Sequence, residues 1–233
     1  MADPSPVPGA DRRIPPRTVL RALARLFRLL IAPFVRLEIR GGACATRLKT
    51  GVIVANHRSM GDAIVGLVVL HHFGHYPRVL IAREYVEERW TAPLARAIGA
   101  IPVDRSADPA RALDPAIDAV RGGAPVLVMP EGRLWQGEDP DSLGPAKTGA
   151  ARLAVGSGTP VVVAALSGTA DAWPPGRPFP RIGFRRRTVL VRVADDPFTV
   201  PSGDPRAATD AVMEELRAHL VRANRERQAL VER

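Results

Sequence analysis

His57 and Asp62 stand five residues apart in the segment NHRSMGD. A neutral imidazole can take the proton of an alcohol, and a carboxylate beside it can fix the ring tautomer and stabilise the imidazolium that forms. The same segment has a second reading, because Ser59-x-x-Asp62 has the form of a capping box in which Asp62 binds backbone N–H groups at a helix start. Chance yields a His-x4-Asp spacing about 0.3 times in a chain of this composition, so the spacing alone does not choose. Two more polar clusters follow apolar runs: Asp104-Arg105 after IPV, and Glu131-Gly132-Arg133 after PVLVMP. Covalent alternatives lack a carrier, since Cys44 is the only cysteine and neither Ser157 nor Ser167 lies in a G-x-S-x-G elbow. His71, His72 and His75 have no carboxylate or thiolate at ligand spacing, which argues against a metal site. Near Lys147-Thr148, Asp141 and Ala146 replace both glycines of a nucleotide phosphate loop.

The elements that must position these residues alternate along the chain. Strand-like runs are VIVA (52–55), RVLIA (78–82), IPV (101–103), PVLVM (125–129), PVVVAAL (160–166) and TVLVRV (188–193). Helical runs lie between them: AIVGLVVLHH (63–72), Trp90 to Ile98, Pro109 to Val120 and AKTGAARLAV (146–155), with a long charged helix from Pro205 to Gln228. This order predicts a single α/β domain with a mainly parallel sheet flanked by helices and buried on both faces. Such sheets carry their ligand sites at the carboxyl ends of strands, where all three polar clusters fall. The uncharged stretch from Leu153 to Ala170 is broken by GSGTP and reads as helix, turn and strand, and no internal repeat is visible.

The 233 residues suffice for one ordinary domain or a domain plus an appendage, and are too few for two large enzymatic domains. Apolar residues make up 46% and charged residues 24%, which excludes intrinsic disorder for the chain as a whole. One cysteine excludes a disulfide framework and a zinc finger. The formal charge of +9 comes almost wholly from arginine, Lys49 and Lys147 being the only lysines. Anionic partners fit that excess, and so does an arginine-favouring genome. Residues 1–16, rich in proline and without a basic start or apolar core, read as a disordered tail rather than a signal peptide. Residues 17–40 read as an amphipathic helix with its lead-in: Arg17, Arg21, Arg25 and Arg28 share one face, while Leu20, Leu23, Phe27, Leu30 and Ile31 line much of the rest. Charge at this density disfavours a spanning helix and favours one lying in the membrane surface, with packing on the core as the alternative.

Four segments resemble, in order and spacing, the motifs of the glycerolipid acyltransferase family, whose members include the 1-acyl-sn-glycerol-3-phosphate acyltransferases. NHRSMGD is similar to its N-H-x4-D block, and GAIPVDR (99–105), preceded by Arg83-Glu84 and Pro93, to its G-x-I-x-x-x-R block. MPEGRLW (129–135) resembles its P-E-G-T-R block, and AKTGAARLAVGSGTPVVVAAL (146–166) its K-x-G-A segment with the strand that follows. The resemblance implies His57 as general base on the acceptor hydroxyl, Asp62 as its orienting partner, and direct attack on an acyl thioester without an acyl-enzyme. Acyl-CoA or acyl carrier protein would be a co-substrate, with no metal or bound cofactor. Arg105, Glu131, Gly132 and Arg133 are the positions the family uses for a phosphate-bearing acceptor, assisted by Arg83 and Lys147.

Two departures bear on the acceptor rather than the chemistry, the first being that Arg133 and Leu134 occupy the Thr and Arg positions of the third block. The fourth block lacks its second proline. The expected organisation is a tail (1–16), the membrane-associating helix (17–40), the catalytic domain (41–201) and a C-terminal helix (202–233). The expected activity is acyl transfer to a lysophosphatidate-like acceptor in phospholipid biosynthesis at the cytoplasmic face of the cell membrane. The alternatives are another lysophospholipid or lipid-linked alcohol as acceptor, and a non-catalytic basic protein on anionic lipid or RNA. RNA is the weaker partner, because 5% aromatic residues leave few stacking platforms. Arg185-Arg186-Arg187 reads as a solvated turn or as a contact for headgroups or CoA phosphates.

Overall fold

In the computed structural model, residues 16–89, 91–104, 111–177, 179–181, 183 and 185–232 are described. Seven strands form: β1 (Val35–Gly41), β2 (Val52–Ala55), β3 (Arg78–Ala82), β4 (Ile101–Val103), β5 (Val126–Val128), β6 (Val161–Ser167) and β7 (Arg187–Val193). The helices are α1 (Arg17–Ile31), α2 (Asp62–His72), α3 (Arg83–Glu87), α4 (Ala92–Ala97), α5 (Asp114–Arg121), α6 (Gly149–Ser157), α7 (Thr169–Ala172) and α8 (Pro205–Val231). One sheet runs in the order β1-β7-β6-β2-β5-β3-β4. Strands β6, β2, β5, β3 and β4 are mutually parallel; β7 pairs antiparallel with β6, and β1 parallel with β7.

The runs rich in Val and Ile sit at the centre because only there are both faces of a strand dry. Side chains alternate across β2: Ile53 and Ala55 pack with α1 and α2 on one face, whereas Val52 and Val54 pack with α5, α6 and α8 on the other. Helix α8 closes the second face, its Leu220 and Ala223 meeting Ala165 and Leu190 of the sheet. Asp204 caps α8 by accepting the N–H groups of Arg206 and Ala207, and Pro205 pre-sets its first turn.

The structure moves one boundary. Residues 35–40, read as lead-in, form most of β1, so the sheet begins before residue 41; Val35, Leu37 and Ile39 alternate with Arg36, Glu38 and Arg40. The C-terminal helix packs on the sheet with the rest of the domain. Helix α1 buries Leu20, Ala24 and Ile31 against the core and α2 and leaves its arginines exposed. Among the described residues no helix is long and apolar enough to cross a membrane. The predicted disordered tail, and Trp90 and residues 109–110 of the predicted helices, lie outside the described residues, save for Pro16.

Candidate active site

Strand β2 ends at Ala55, and the chain beyond it is held by hydrogen bonds to β6 and to the segment that follows β5. The Asn56 carboxamide donates to the Leu166 carbonyl (3.0 Å) and accepts the Leu166 N–H (2.7 Å), pinning the strand end to β6. The His57 N–H donates to Glu131 Oε2 at 2.5 Å, and its carbonyl accepts the Trp135 N–H at 2.7 Å. The peptide that carries the histidine is thus clamped by the segment following β5.

The His57 Nδ1 lies 3.1 Å from Asp62 Oδ2. That oxygen also accepts the N–H groups of Arg58 and Ser59, each at 2.7 Å. An ionised carboxylate accepts only, so the pairing puts the ring proton on Nδ1 and leaves Nε2 with a lone pair. Asp62 is 0% exposed, whereas the His57 side chain retains 21% of its surface, and among the described residues Nε2 has no partner. This is the arrangement a general base needs: one nitrogen fixed, the other open.

The capping-box reading is half correct. Asp62 does take the Ser59 N–H, but Ser59 Oγ takes the N–H of Gly61 and donates to the Trp173 carbonyl at 2.6 Å. The residue preceding α2 is Gly61, which has no side chain to cap with. Asp62 in the first turn therefore serves the helix start and the imidazole together.

Glu131 is 1% exposed, and both its carboxylate oxygens accept backbone N–H groups, those of His57 and Gly144 (3.1 Å). Burial pushes its carboxyl above the ordinary glutamate range, and the two amides oppose that in part. Glu131, expected to contact substrate, thus holds the His57 peptide and the Gly144 loop in place through its two oxygens. Gly132 has φ +64°, so it supplies the left-handed turn directly after Glu131. Arg58, not singled out by the sequence, donates to the carbonyls of Gly137, Asp139, Pro140 and Ser142 and fixes the loop before α6. Trp135 donates from its indole to Ser142 Oγ (3.0 Å) in the same loop.

The remaining cationic candidates divide. Arg83, expected to assist with phosphate, ion-pairs with Asp104 (3.0 Å) and Glu87 (3.8 Å) at the β3–β4 edge. Arg133 and Lys147 are exposed and have no side-chain partner among the described residues. Arg105 lies outside the described residues. His71 stacks near Tyr76 and His75 reaches the Ala45 carbonyl; among the described residues no group of three or more His, Cys, Asp or Glu could hold a metal ion.

The family model described as Acyltransferase matches residues 36–167, more than half of the chain. The chain belongs to the acyltransferase family. The matched segment runs from the second residue of β1 to the last of β6 and holds His57, Asp62, Glu131 and Arg133. Among solved structures, the crystal structure of the 1-acyl-sn-glycerophosphate (LPA) acyltransferase PlsC from Thermotoga maritima aligns with a TM-score of 0.67. It shares 21% identity, over 93% of this chain and 81% of its own, which shows a common fold. No curated protein matches the chain. The family resemblance carried by the four sequence blocks is thereby established at the level of an acyltransferase with this fold.

Proposed function

We propose that this acyltransferase moves a fatty acyl chain from acyl-CoA or acyl carrier protein to the hydroxyl of a lysophosphatidate-like acceptor, as a peripheral or monotopic enzyme at the cytoplasmic face of the cell membrane. The observation that carries the chemistry is the buried Asp62 carboxylate on Nδ1 of a histidine whose Nε2 is open. His57 Nε2 takes the acceptor's hydroxyl proton as the oxygen attacks the thioester carbonyl. Asp62 stabilises the imidazolium without taking the proton. The tetrahedral intermediate then expels the thiolate, which receives that proton from His57, giving an ester and a free thiol. No metal or bound cofactor enters the reaction so written.

The acceptor class is supported by the fold shared with a protein described as an LPA acyltransferase, and by the unpartnered Arg133 beside the site turn. A second reading, a different lysophospholipid or lipid-linked alcohol, is favoured by Leu134 standing where the resemblance expects an arginine. Membrane residence is supported by the exposed arginine face of α1. The test supplies purified protein with acyl-CoA and a panel of lyso acceptors and follows free thiol. Acceptor-dependent thiol release with lysophosphatidate leading is expected; no release with any acceptor would leave only the non-catalytic alternative.

A further inference from the structure

Helix α1 carries its exposed apolar residues on a stripe of their own. With 100° between successive residues, Leu20, Ala24 and Ile31 face the core, Arg17, Arg21, Arg25 and Arg28 lie on one flank, and Val19, Leu26 and Leu30 on the other, with Leu29 pointing away from the core. Leu26, Leu29 and Leu30 are all exposed, Leu29 by 71%. An exposed cluster of this kind marks a contact surface.

The segment that follows α7 returns to the same place. The Arg187 N–H bonds to the Phe34 carbonyl, three residues past the end of α1. Pro180 and Trp173 share an apolar cleft with Ile31, Phe34 and Ile64. Between these anchors Phe179 is 72% exposed, and Arg177, Arg181, Arg185, Arg186 and Arg187 are all exposed. None of these five arginines has a side-chain hydrogen bond or ion pair among the described residues. A bulky apolar tip set among unpaired arginines, beside a helix with an apolar stripe and an arginine flank, is chemically matched to anionic headgroups over hydrocarbon.

We infer that the described residues between Trp173 and β7, 174–177, 179–181, 183 and 185–186, form a second membrane-docking element, which enters the interface through Phe179 and meets anionic headgroups through Arg177, Arg181, Arg185 and Arg186, on the same face as α1. This rests on the membrane reading of α1 above. The Ser59 hydroxyl bonds to the Trp173 carbonyl, so the segment begins one hydrogen bond from the loop that holds His57. Docking through both elements sets the mouth of the site at the depth of the acceptor's headgroup.

The test places a fluorophore on the full chain at position 179, 29 or 155 through Phe179→Cys, Leu29→Cys or Val155→Cys, each in a Cys44→Ala background. Val155 is an exposed apolar residue of α6, on the opposite face of the sheet. Vesicles of phosphatidylcholine and phosphatidylglycerol with brominated acyl chains report insertion by quenching. Quenching at 179 and 29 but not at 155 is expected. The variant Arg177→Gln/Arg185→Gln/Arg186→Gln should bind these vesicles about tenfold or more weakly, with the difference shrinking in high salt. Quenching at 29 without 179 overturns the second element and leaves the α1 reading intact. Quenching at 179 without 29 overturns the shared face, and no binding at all overturns the membrane reading itself. Arginine variants that bind vesicles normally but raise KM for acyl-CoA would assign the segment to the donor nucleotide and overturn the proposal.

Discussion

Glu131 accepts the backbone N–H of His57 at 2.5 Å, joining two blocks that lie 74 residues apart in the chain. Its other oxygen holds Gly144, so one buried carboxylate fixes both the histidine and the loop facing it. Replacing it with Gln keeps the shape but leaves one oxygen for two N–H donors. The Glu131→Gln variant should lose about 10-fold to 10²-fold in kcat through displacement of His57, with KM for the acyl donor little changed. Steady-state kinetics with an unchanged kcat would remove the positioning role.

His57→Ala should lower acyl transfer by about 10²-fold or more, the low end of general-base contributions, with vesicle binding intact. Asp62→Asn retains an oxygen for the Arg58 and Ser59 amides but loses the charge that favours imidazolium. It should melt close to wild type and still lose on the order of 10²-fold in rate. A folded Asp62→Asn variant with full activity would reduce Asp62 to its amide-binding role.

Neutralising Arg17, Arg21, Arg25 and Arg28 together should weaken binding to anionic vesicles by about a hundredfold and make the remainder less salt-sensitive. Because the helix packs through Leu20, Ala24 and Ile31, the fold should survive the change. Unaltered flotation would assign α1 to packing alone.

The sheet was legible because its strands are short Val- and Ile-rich runs with little other use, and the His57–Asp62 pair because both ends of the contact lie in one segment. Strand β1 was hidden by its neighbour: the alternation of Val35, Leu37 and Ile39 directly follows an amphipathic helix, and the two periods merge at Pro33-Phe34. The clamps on the site were illegible for a different reason. Asn56, Glu131 and Arg58 bind backbone groups 74 to 110 residues away, and a backbone partner leaves no signature in side-chain sequence. Nor could spacing show that Arg83 is engaged by Asp104, since that depends on β3 and β4 being neighbours.

The acceptor is decided by the arginines. Arg133→Ala and Arg105→Ala should each impair use of a lysophosphatidate acceptor by about 1.5–3 kcal/mol, the cost of a lost charge-assisted hydrogen bond, with donor occupancy little changed. A large effect at Arg105 with none at Arg133 would mean that the third block has lost its phosphate contact. Acceptors with and without a terminal phosphomonoester would then react at similar rates.

Stability should fall on acidification below neutrality, and two histidines give the sign. Burial holds His219 below its ordinary value of 6.5; Glu215 opposes the shift and Arg192 and Arg222 reinforce it. His71 is lowered first by burial and then by Arg25, Arg21, Arg28 and His72. Both are therefore neutral in the fold at a pH where the unfolded chain has begun to protonate them. Just below 6.5 the unfolded state binds more protons, so stability present above that pH is lost as it falls towards the lowered values. Calorimetric melting between pH 7.5 and 5.5 should show this decline, and His219→Gln should make it shallower because Gln takes up no proton on unfolding. A decline of the same slope in His219→Gln would show that His219 is not one of the groups responsible.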